Sequence, residues 1–150
     1  MVNPALCLLN AVPWYGAGYN EVWQENEYTR VTQILIAEDA NFSRAVLRRM
    51  LQEEGYDILE VGNGKQCLDI LATESPDCLI LDLLMPEVTG YEVLARLAQQ
   101  GKTIPVLVVT ADVQETTRQQ CLALGAIAVL NKPPKPEQIH EILQQVLPKA

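Results

Sequence analysis

Histidine and cysteine are scarce in this sequence, which has one histidine and four cysteines in 150 residues. The cysteines form no Cys-x-x-Cys pair and have no histidine at ligand spacing; they are Cys7, Cys67, Cys78 and Cys121. This pattern argues against a zinc cluster or a disulfide framework and favours reduced thiols in a cytosol. The last three lie in apolar segments, so we expect them to be small core residues.

Basic residues are also few, since 11 Lys and Arg stand against 19 Asp and Glu, and the net charge is −8. Nucleic-acid binding requires clustered Lys and Arg, so this composition argues against it. No apolar stretch approaches the length of a membrane span. No basic region precedes the apolar segment 6–9, so a signal peptide is not expected. These properties predict a cytoplasmic protein that meets a cation or the basic surface of a partner.

Aromatic residues are rare overall and concentrated at the start of the chain. Five of the eight lie in residues 1–30: Trp14, Tyr15, Tyr19, Trp23 and Tyr28. Clustered aromatics are typical of interface anchors, so residues 1–30 are interpreted as a contact arm that packs on this domain, on a second copy or on a partner. The alternative is a misassigned start, with the natural domain beginning at Val31. Both interpretations divide the chain into an extension, 1–30, and a domain, 31–150.

From Val31 onward, short apolar runs alternate with segments of helical periodicity. Runs of this length, rich in Val, Ile and Leu, predict strands buried on both faces, near 33–37, 57–61, 78–82, 105–110 and 126–130. Helices are predicted near 43–54, 64–74, 89–100, 113–124 and 136–147. This alternation predicts an α/β domain with right-handed crossovers. The predicted fold is a flavodoxin-like (βα)5 three-layer sandwich with a parallel sheet in the order 2-1-3-4-5.

Polar residues follow four of the predicted strands. Glu38 and Asp39 follow the first, Asp82 the third and Thr110 the fourth, while Lys132 lies just beyond the fifth. The carboxyl ends of neighbouring parallel strands meet at one edge of the sheet, where open α/β folds bind ligands. We therefore expect three carboxylates, a hydroxyl and an ammonium to converge.

These residue types are suited to phosphoryl transfer. Oxygen-only ligands favour Mg²⁺, which binds through one or two carboxylates together with a substrate phosphate. A carboxylate such as Asp82 can act as the nucleophile and form an aspartyl phosphate. Lys132 would neutralise charge on the phosphoryl oxygens, and Thr110 would hydrogen-bond to them. Each residue alone has a common structural explanation, such as a helix cap or a solvated lysine, and only their joint occurrence points to a site.

Residues 33–147 resemble the receiver domain of two-component response regulators. The motifs that carry the resemblance are Ile-Leu-Ile-Ala-Glu38-Asp39, Asp82-Leu-Leu-Met85-Pro86-Glu-Val-Thr-Gly90, Val-Val-Thr110-Ala111, Gly125-Ala126 and Asn131-Lys132-Pro133. They cover nearly all of the chain after the extension. Two positions depart from the family pattern. Val129 occupies a place that is often Tyr or Phe, and Leu84 occupies one that is often polar.

The resemblance implies a role for each site residue. Asp82 would accept a phosphoryl group from a histidine kinase, and Thr110 and Lys132 would hold the phosphoryl oxygens. Asp39 and Asp82 would ligate Mg²⁺ directly, with the backbone carbonyl of Leu84 as a further ligand and Glu38 acting largely through water. A cis peptide bond between Lys132 and Pro133 is also implied.

The chain ends shortly after the fifth predicted helix, which favours a stand-alone receiver that acts by switching protein–protein contacts. The expected partners are a sensor histidine kinase or histidine phosphotransfer protein and a downstream protein target, and a homodimer is possible. Such a switch is not a turnover enzyme. The alternatives are a phosphorelay intermediate and a degenerate receiver used as a binding module. A phosphatase-like hydrolase is disfavoured because it typically needs an Asp where Leu84 lies.

Overall fold

A computed structural model of the protein describes residues 30–147. The proposed contact arm, apart from Arg30, lies outside these residues, as do Cys7 and residues 148–150. The strands are β1 (Gln33–Ala37), β2 (Asp57–Val61), β3 (Cys78–Leu81), β4 (Val106–Thr110) and β5 (Ala128–Asn131). The helices are α1 (Asn41–Glu53), α2 (Gly64–Thr73), α3 (Gly90–Gln99), α4 (Glu115–Ala123) and α5 (Pro136–Val146).

The strands form one parallel sheet in the order β2-β1-β3-β4-β5, which confirms the predicted fold and strand order. β3 lies at the centre, between β1 and β4. Its four residues are buried, as expected for a strand covered on both faces. Ile36 pairs with Ile80, which in turn pairs with Leu107, so the carboxyl ends of the central strands are in register at one edge.

Two hydrophobic cores lie on opposite faces of the sheet, because alternate strand residues point to opposite sides. On one face Leu35, Leu79 and Val108 pack with buried residues of α2, α3 and α4. On the other face Ile36 and Ile80 pack with buried residues of α1 and α5. The helices therefore form two outer layers around the sheet, as predicted for a three-layer sandwich.

The cysteines in the described region are core residues, as predicted. Cys67, Cys78 and Cys121 are free thiols with no exposed surface. Burial raises the pKa of Cys67 and of Cys78 to about 12, since the thiolate is poorly solvated in an apolar interior. Within residues 30–147, no helix combines the length and the apolar character that crossing a membrane requires.

Several element boundaries differ from the sequence prediction by one or two residues, and two of these differences have local reasons. Helix α4 begins at Glu115 rather than near 113 because Asp112 forms an Asx turn before it: the Asp112 carboxylate accepts hydrogen bonds from the N–H of the N-cap residue Gln114 at 2.9 Å and from the Thr117 hydroxyl at 2.7 Å. Strand β5 begins at Ala128 rather than 126. The Ala126 N–H closes the end of α4 by donating to the Cys121 carbonyl at 3.0 Å.

Two glycines hold the loop between β3 and α3 in close contact with its surroundings. A Cβ atom on Gly90 would lie 2.3 Å from the backbone oxygen of Asp82, and one on Gly64 would lie 2.1 Å from the backbone oxygen of Val88. Both contacts are with backbone, so the loop itself would have to move. The loop that follows Asp82 is therefore shaped by two positions at which only glycine fits.

We expect Gly90→Ala and Gly64→Ala each to lower the free energy of unfolding by about 1–3 kcal/mol, as overpacking typically does. Urea unfolding followed by far-UV circular dichroism would measure the change. Gly62→Ala is the control, because its Cβ would meet a single side-chain atom, Arg44 Nη1, at 3.4 Å. Equal stability of all three variants would show that the loop accommodates the extra methyl groups.

Candidate phosphoryl-transfer site

The carboxyl edge of the sheet is held together by hydrogen bonds that continue the strand ladders past the strand ends. The Asp82 N–H donates to the Ala37 carbonyl at 3.0 Å, and the Lys132 N–H donates to the Thr110 carbonyl at 2.8 Å. On the other side of β1, the Glu38 N–H donates to the Val61 carbonyl at 3.1 Å. A neighbouring strand thus fixes the backbone of each strand-end residue. The backbone in turn fixes the position of the Cβ atom from which the side chain extends.

Three carboxylates meet at this edge, where the sequence placed them. Glu38, Asp39 and Asp82 each offer an oxygen, and these oxygens all lie within 4.8 Å of one another. Glu38 is 2% exposed and Asp82 6% exposed, whereas Asp39 is open to solvent. Two buried carboxylates beside a third, exposed one form a site that is negatively charged and accessible from one side.

Lys132 supplies the positive charge in this cluster. Its Nζ lies 2.5 Å from Glu38 Oε2 and 3.3 Å from Asp82 Oδ2. Burial alone would lower the pKa of Lys132, but the hydrogen bond to Glu38 and the charges of Asp82 and Glu38 outweigh it and raise that pKa. Lys132 is therefore charged at neutral pH and joins β5 to β1 and β3 across the sheet edge. The peptide bond between Lys132 and Pro133 is cis, as the family resemblance implied.

The pKa of Glu38 is raised, chiefly because burial disfavours its charged form, and the charge of Asp82 adds to this effect. The hydrogen bonds from Lys132 and from the Ala40 N–H at 3.1 Å act in the opposite direction. Burial of the Glu38 carboxylate therefore outweighs its hydrogen bonds to Lys132 and to the Ala40 N–H.

Thr110 lies at the end of β4 with no exposed surface. Its Oγ1 accepts a hydrogen bond from the Asp112 N–H at 3.1 Å. The carboxylate of Asp112 is directed to the start of α4, where its hydrogen bonds to Thr117 and Gln114 lower its pKa. Thr110 is thus connected to the loop between β4 and α4 by one hydrogen bond to a backbone N–H.

The loop after β3 contains the remaining predicted ligand. Leu84 lies two residues beyond Asp82 and its side chain is 68% exposed, while Met85 is 7% exposed. Glu87 has a φ of +66°, a conformation that residues other than glycine rarely adopt. The Val88 N–H donates to the Pro86 carbonyl at 2.9 Å, which closes this turn.

The structure also shows features at this edge that the sequence alone did not assign to the site. Arg44 of α1 donates a hydrogen bond to the backbone carbonyl of Glu38 at 2.7 Å. A largely apolar cavity of about 300 Å³ lies between α1 and the residues that follow β5, and its lining includes Phe42, Val46 and Pro133. Both features depend on how α1 crosses the sheet, which the apolar pattern of a helix does not specify.

The donor set suits a hard divalent cation. All the candidate ligands are oxygens, from the carboxylates of Glu38, Asp39 and Asp82, and Mg²⁺ prefers oxygen donors and retains several waters. Asp39 is the exposed member, so a hydrated ion can reach the cluster from solvent. The residues present therefore fit Mg²⁺.

Comparison with known proteins identifies the family. The family model described as "Response regulator receiver domain" matches residues 34–144. The chain belongs to this family. An uncharacterized 14.6 kDa protein from Leptolyngbya boryana is 35% identical to this receiver over 114 residues, which cover 75% of the receiver and 87% of that protein.

A longer relative is the alkaline phosphatase synthesis transcriptional regulatory protein PhoP of Bacillus subtilis, which is 30% identical over 118 residues. The match covers 79% of this receiver and 49% of PhoP, so the chain spans about half the length of that regulator. Among solved structures, the receiver domain of the sensor histidine kinase PA1611 from Pseudomonas aeruginosa is 27% identical, with a TM-score of 0.71. That match covers 77% of this chain and 97% of the solved one, which has a magnesium ion coordinated in its active-site cleft.

Proposed function

We propose that this receiver is a stand-alone, Mg²⁺-dependent phosphoryl switch in which Asp82 is the acceptor. The observation that carries the proposal is the convergence of three carboxylates and Lys132 at the carboxyl edge of the sheet. Membership of the receiver family and the magnesium ion in the PA1611 domain support it. The proposed location is the cytoplasm, and the proposed role is a switch rather than a turnover enzyme.

In the proposed reaction, an Asp82 carboxylate oxygen attacks the phosphorus of a phosphohistidine. The new Asp82 O–P bond forms as the N–P bond breaks, and the imidazole of the donor leaves with the electron pair. Asp39, Asp82 and the Leu84 carbonyl would hold Mg²⁺, which would supply positive charge beside the phosphoryl oxygens. Lys132 can contact a phosphoryl group on Asp82, because its Nζ lies 3.3 Å from Asp82 Oδ2.

The proposed phosphodonor is a sensor histidine kinase or a histidine phosphotransfer protein, and the proposed output is contact with a downstream protein target. A phosphorelay intermediate that passes the group onward is the second candidate. Phosphotransfer from purified histidine kinases to wild type would test acceptance, and subsequent addition of a phosphotransfer protein would test onward transfer. Failure of every donor, including acetyl phosphate with Mg²⁺, would indicate a degenerate receiver.

Phosphorylation is expected to move the loop 110–116. Thr110 Oγ1 accepts the Asp112 N–H at 3.1 Å, so if the Thr110 side chain turns to bring its hydroxyl to a phosphoryl oxygen, that N–H loses its acceptor. Val129 has no aromatic ring to reorient, so the loop itself would transmit the change. Beryllofluoride with Mg²⁺, which mimics an acyl phosphate, should therefore shift the amide resonances of residues 110–116.

The control is Asp82→Asn, in which the beryllofluoride complex should not form and the same resonances should stay in place. Wild-type amides of 110–116 that do not shift, while those near Asp82 do, would contradict this transmission through the loop.

A further inference from the structure

The guanidinium of Arg44 connects α1 to the segment that carries two of the site carboxylates. Nη1 donates to the Glu38 carbonyl at 2.7 Å, and Nη2 donates to Asn41 Oδ1 at 2.7 Å. The Glu38 carbonyl belongs to the peptide bond between Glu38 and Asp39. Arg44 therefore holds the peptide plane that joins these two residues.

The orientation of the Asp39 side chain depends on this peptide more than the orientations of Glu38 and Asp82 depend on their own backbone. Its side chain is exposed, and no hydrogen bond to its carboxylate arises from residues 30–147. By contrast, the Glu38 carboxylate is held by the Ala40 N–H and by Lys132, and Asp82 is held by Lys132. The direction of the Asp39 side chain is thus set by its backbone and its own rotamer.

Arg44 is itself held in place. Its side chain is 22% exposed, and Nε lies 3.7 Å from Oε1 of Glu60 on β2. Glu60 is fixed in turn by Arg48, whose Nη1 lies 3.1 and 2.9 Å from the two carboxylate oxygens. A guanidinium that contacts α1, β2 and the end of β1 has little freedom to change rotamer. It can therefore act as a rigid support for the Glu38–Asp39 peptide.

We propose that Arg44 is a positioning residue that orients Asp39 for Mg²⁺ through the Glu38 carbonyl. This inference rests on the proposed function, because it treats Asp39 as a ligand of the ion. Partners that orient metal ligands typically contribute about 10–100-fold to metal affinity. Loss of Arg44 is therefore expected to weaken Mg²⁺ binding by at least about 10-fold.

A positioning role and a purely electrostatic role of Arg44 predict opposite changes in Mg²⁺ affinity when Arg44 is removed. Arg44 carries a positive charge near a dication site, so its removal would tighten Mg²⁺ binding if charge alone mattered. A positioning residue gives weaker binding instead. Arg49→Gln is the matched control, since it removes the same charge from the exposed face of α1, where Arg49 pairs with Glu53 at 3.1 Å and contacts neither Glu60 nor the Glu38 carbonyl.

The test is titration of Mg²⁺ into wild type, Arg44→Gln and Arg49→Gln, followed by calorimetry and by the amide resonances of residues 38–40. We expect Arg44→Gln to bind Mg²⁺ at least about 10-fold more weakly than wild type and Arg49→Gln to bind it as tightly as wild type or slightly more tightly. The Asp39 amide should already be shifted in metal-free Arg44→Gln. If Arg44→Gln does not fold, Arg44→Lys serves instead, since it keeps the charge but loses the planar fork.

Unchanged or tighter binding in the Arg44 variant would overturn the inference, as would equal weakening in Arg49→Gln. These outcomes are separate from failure of the proposed function. If wild type itself binds no Mg²⁺ or accepts no phosphoryl group on Asp82, the switch proposal fails. If wild type does both and Arg44→Gln binds Mg²⁺ normally, only the role of Arg44 fails.

Discussion

Asp82→Asn is expected to abolish phosphoryl acceptance and, in the absence of Mg²⁺, to make the folded protein more stable. The first effect follows because an amide oxygen is a far weaker nucleophile than a carboxylate and Asp82 is the proposed point of attack. Labelling from acetyl phosphate or from a kinase should fall to background. Intact-mass spectrometry would measure the labelled fraction.

The stability effect follows from the charges around Asp82. Its carboxylate is 6% exposed and lies near Glu38 and Asp39, with a single attraction to Lys132 at 3.3 Å. Removing its charge relieves two repulsions and one desolvation penalty and sacrifices one ion pair. We therefore expect the free energy of unfolding to rise in metal-free Asp82→Asn.

Asp77→Asn is the matched control for both measurements. Asp77 lies at the opposite end of β3, where its carboxylate accepts hydrogen bonds from the Gln33 N–H and from Arg30 at 2.9 Å. This variant should be labelled like wild type and should not gain stability. Persistent labelling of Asp82→Asn would place the acceptor elsewhere, and a loss of its metal-free stability would show that the ion pair with Lys132 dominates.

Asp39→Asn is expected to weaken Mg²⁺ binding on the order of 100-fold and to slow phosphorylation accordingly. The variant loses one full negative charge directly at the proposed ion. The attraction between two unit charges 4 Å apart near a protein surface is roughly 4 kcal/mol. Loss of only part of this attraction lowers the Mg²⁺ affinity on the order of 100-fold. At a Mg²⁺ concentration of 100 times the wild-type Kd, wild type should gain about 2.7 kcal/mol of stability. The variant should gain only about 0.4 kcal/mol at that concentration.

Thermal unfolding with and without Mg²⁺ would measure this difference without any phosphodonor. Asp69→Asn is the control, because it removes an equal charge from the exposed face of α2, where Asp69 pairs with Lys65 at 3.6 Å. It should retain the full response to Mg²⁺. An undiminished response in Asp39→Asn would show that the ion binds without this carboxylate.

The fold and the site were predictable because the information for both is local and periodic. Each strand is a short apolar run, so the strand that precedes Asp82 can be located from its neighbours alone. Parallel pairing then brings Asp82, Thr110 and Lys132 to one edge whatever the details of the loops. The three carboxylates lie within 4.8 Å of one another as a consequence of strand order and register.

The contacts that sequence reasoning could not supply depend on packing between distant elements. Arg44 is six residues from Glu38, but its hydrogen bond to the Glu38 carbonyl arises because α1 lies against β2 and is tied there through Glu60. The early start expected for α4 overlooked Asp112, whose carboxylate accepts the Gln114 N–H in an Asx turn that precedes the helix. This turn could have been predicted, since Asp commonly accepts a hydrogen bond from the backbone two residues further on.

The identity of the phosphorylated residue is the most direct point to measure. Wild type would be phosphorylated with acetyl phosphate and Mg²⁺, the acyl phosphate reduced with borohydride, and the modified residue located by peptide mass spectrometry. Asp82 should carry the modification, with Glu38, Asp39 and His140 unmodified. Modification at any of those residues, or a stable phosphate ester on Ser or Thr that resists borohydride, would contradict the assignment of Asp82 as the acceptor.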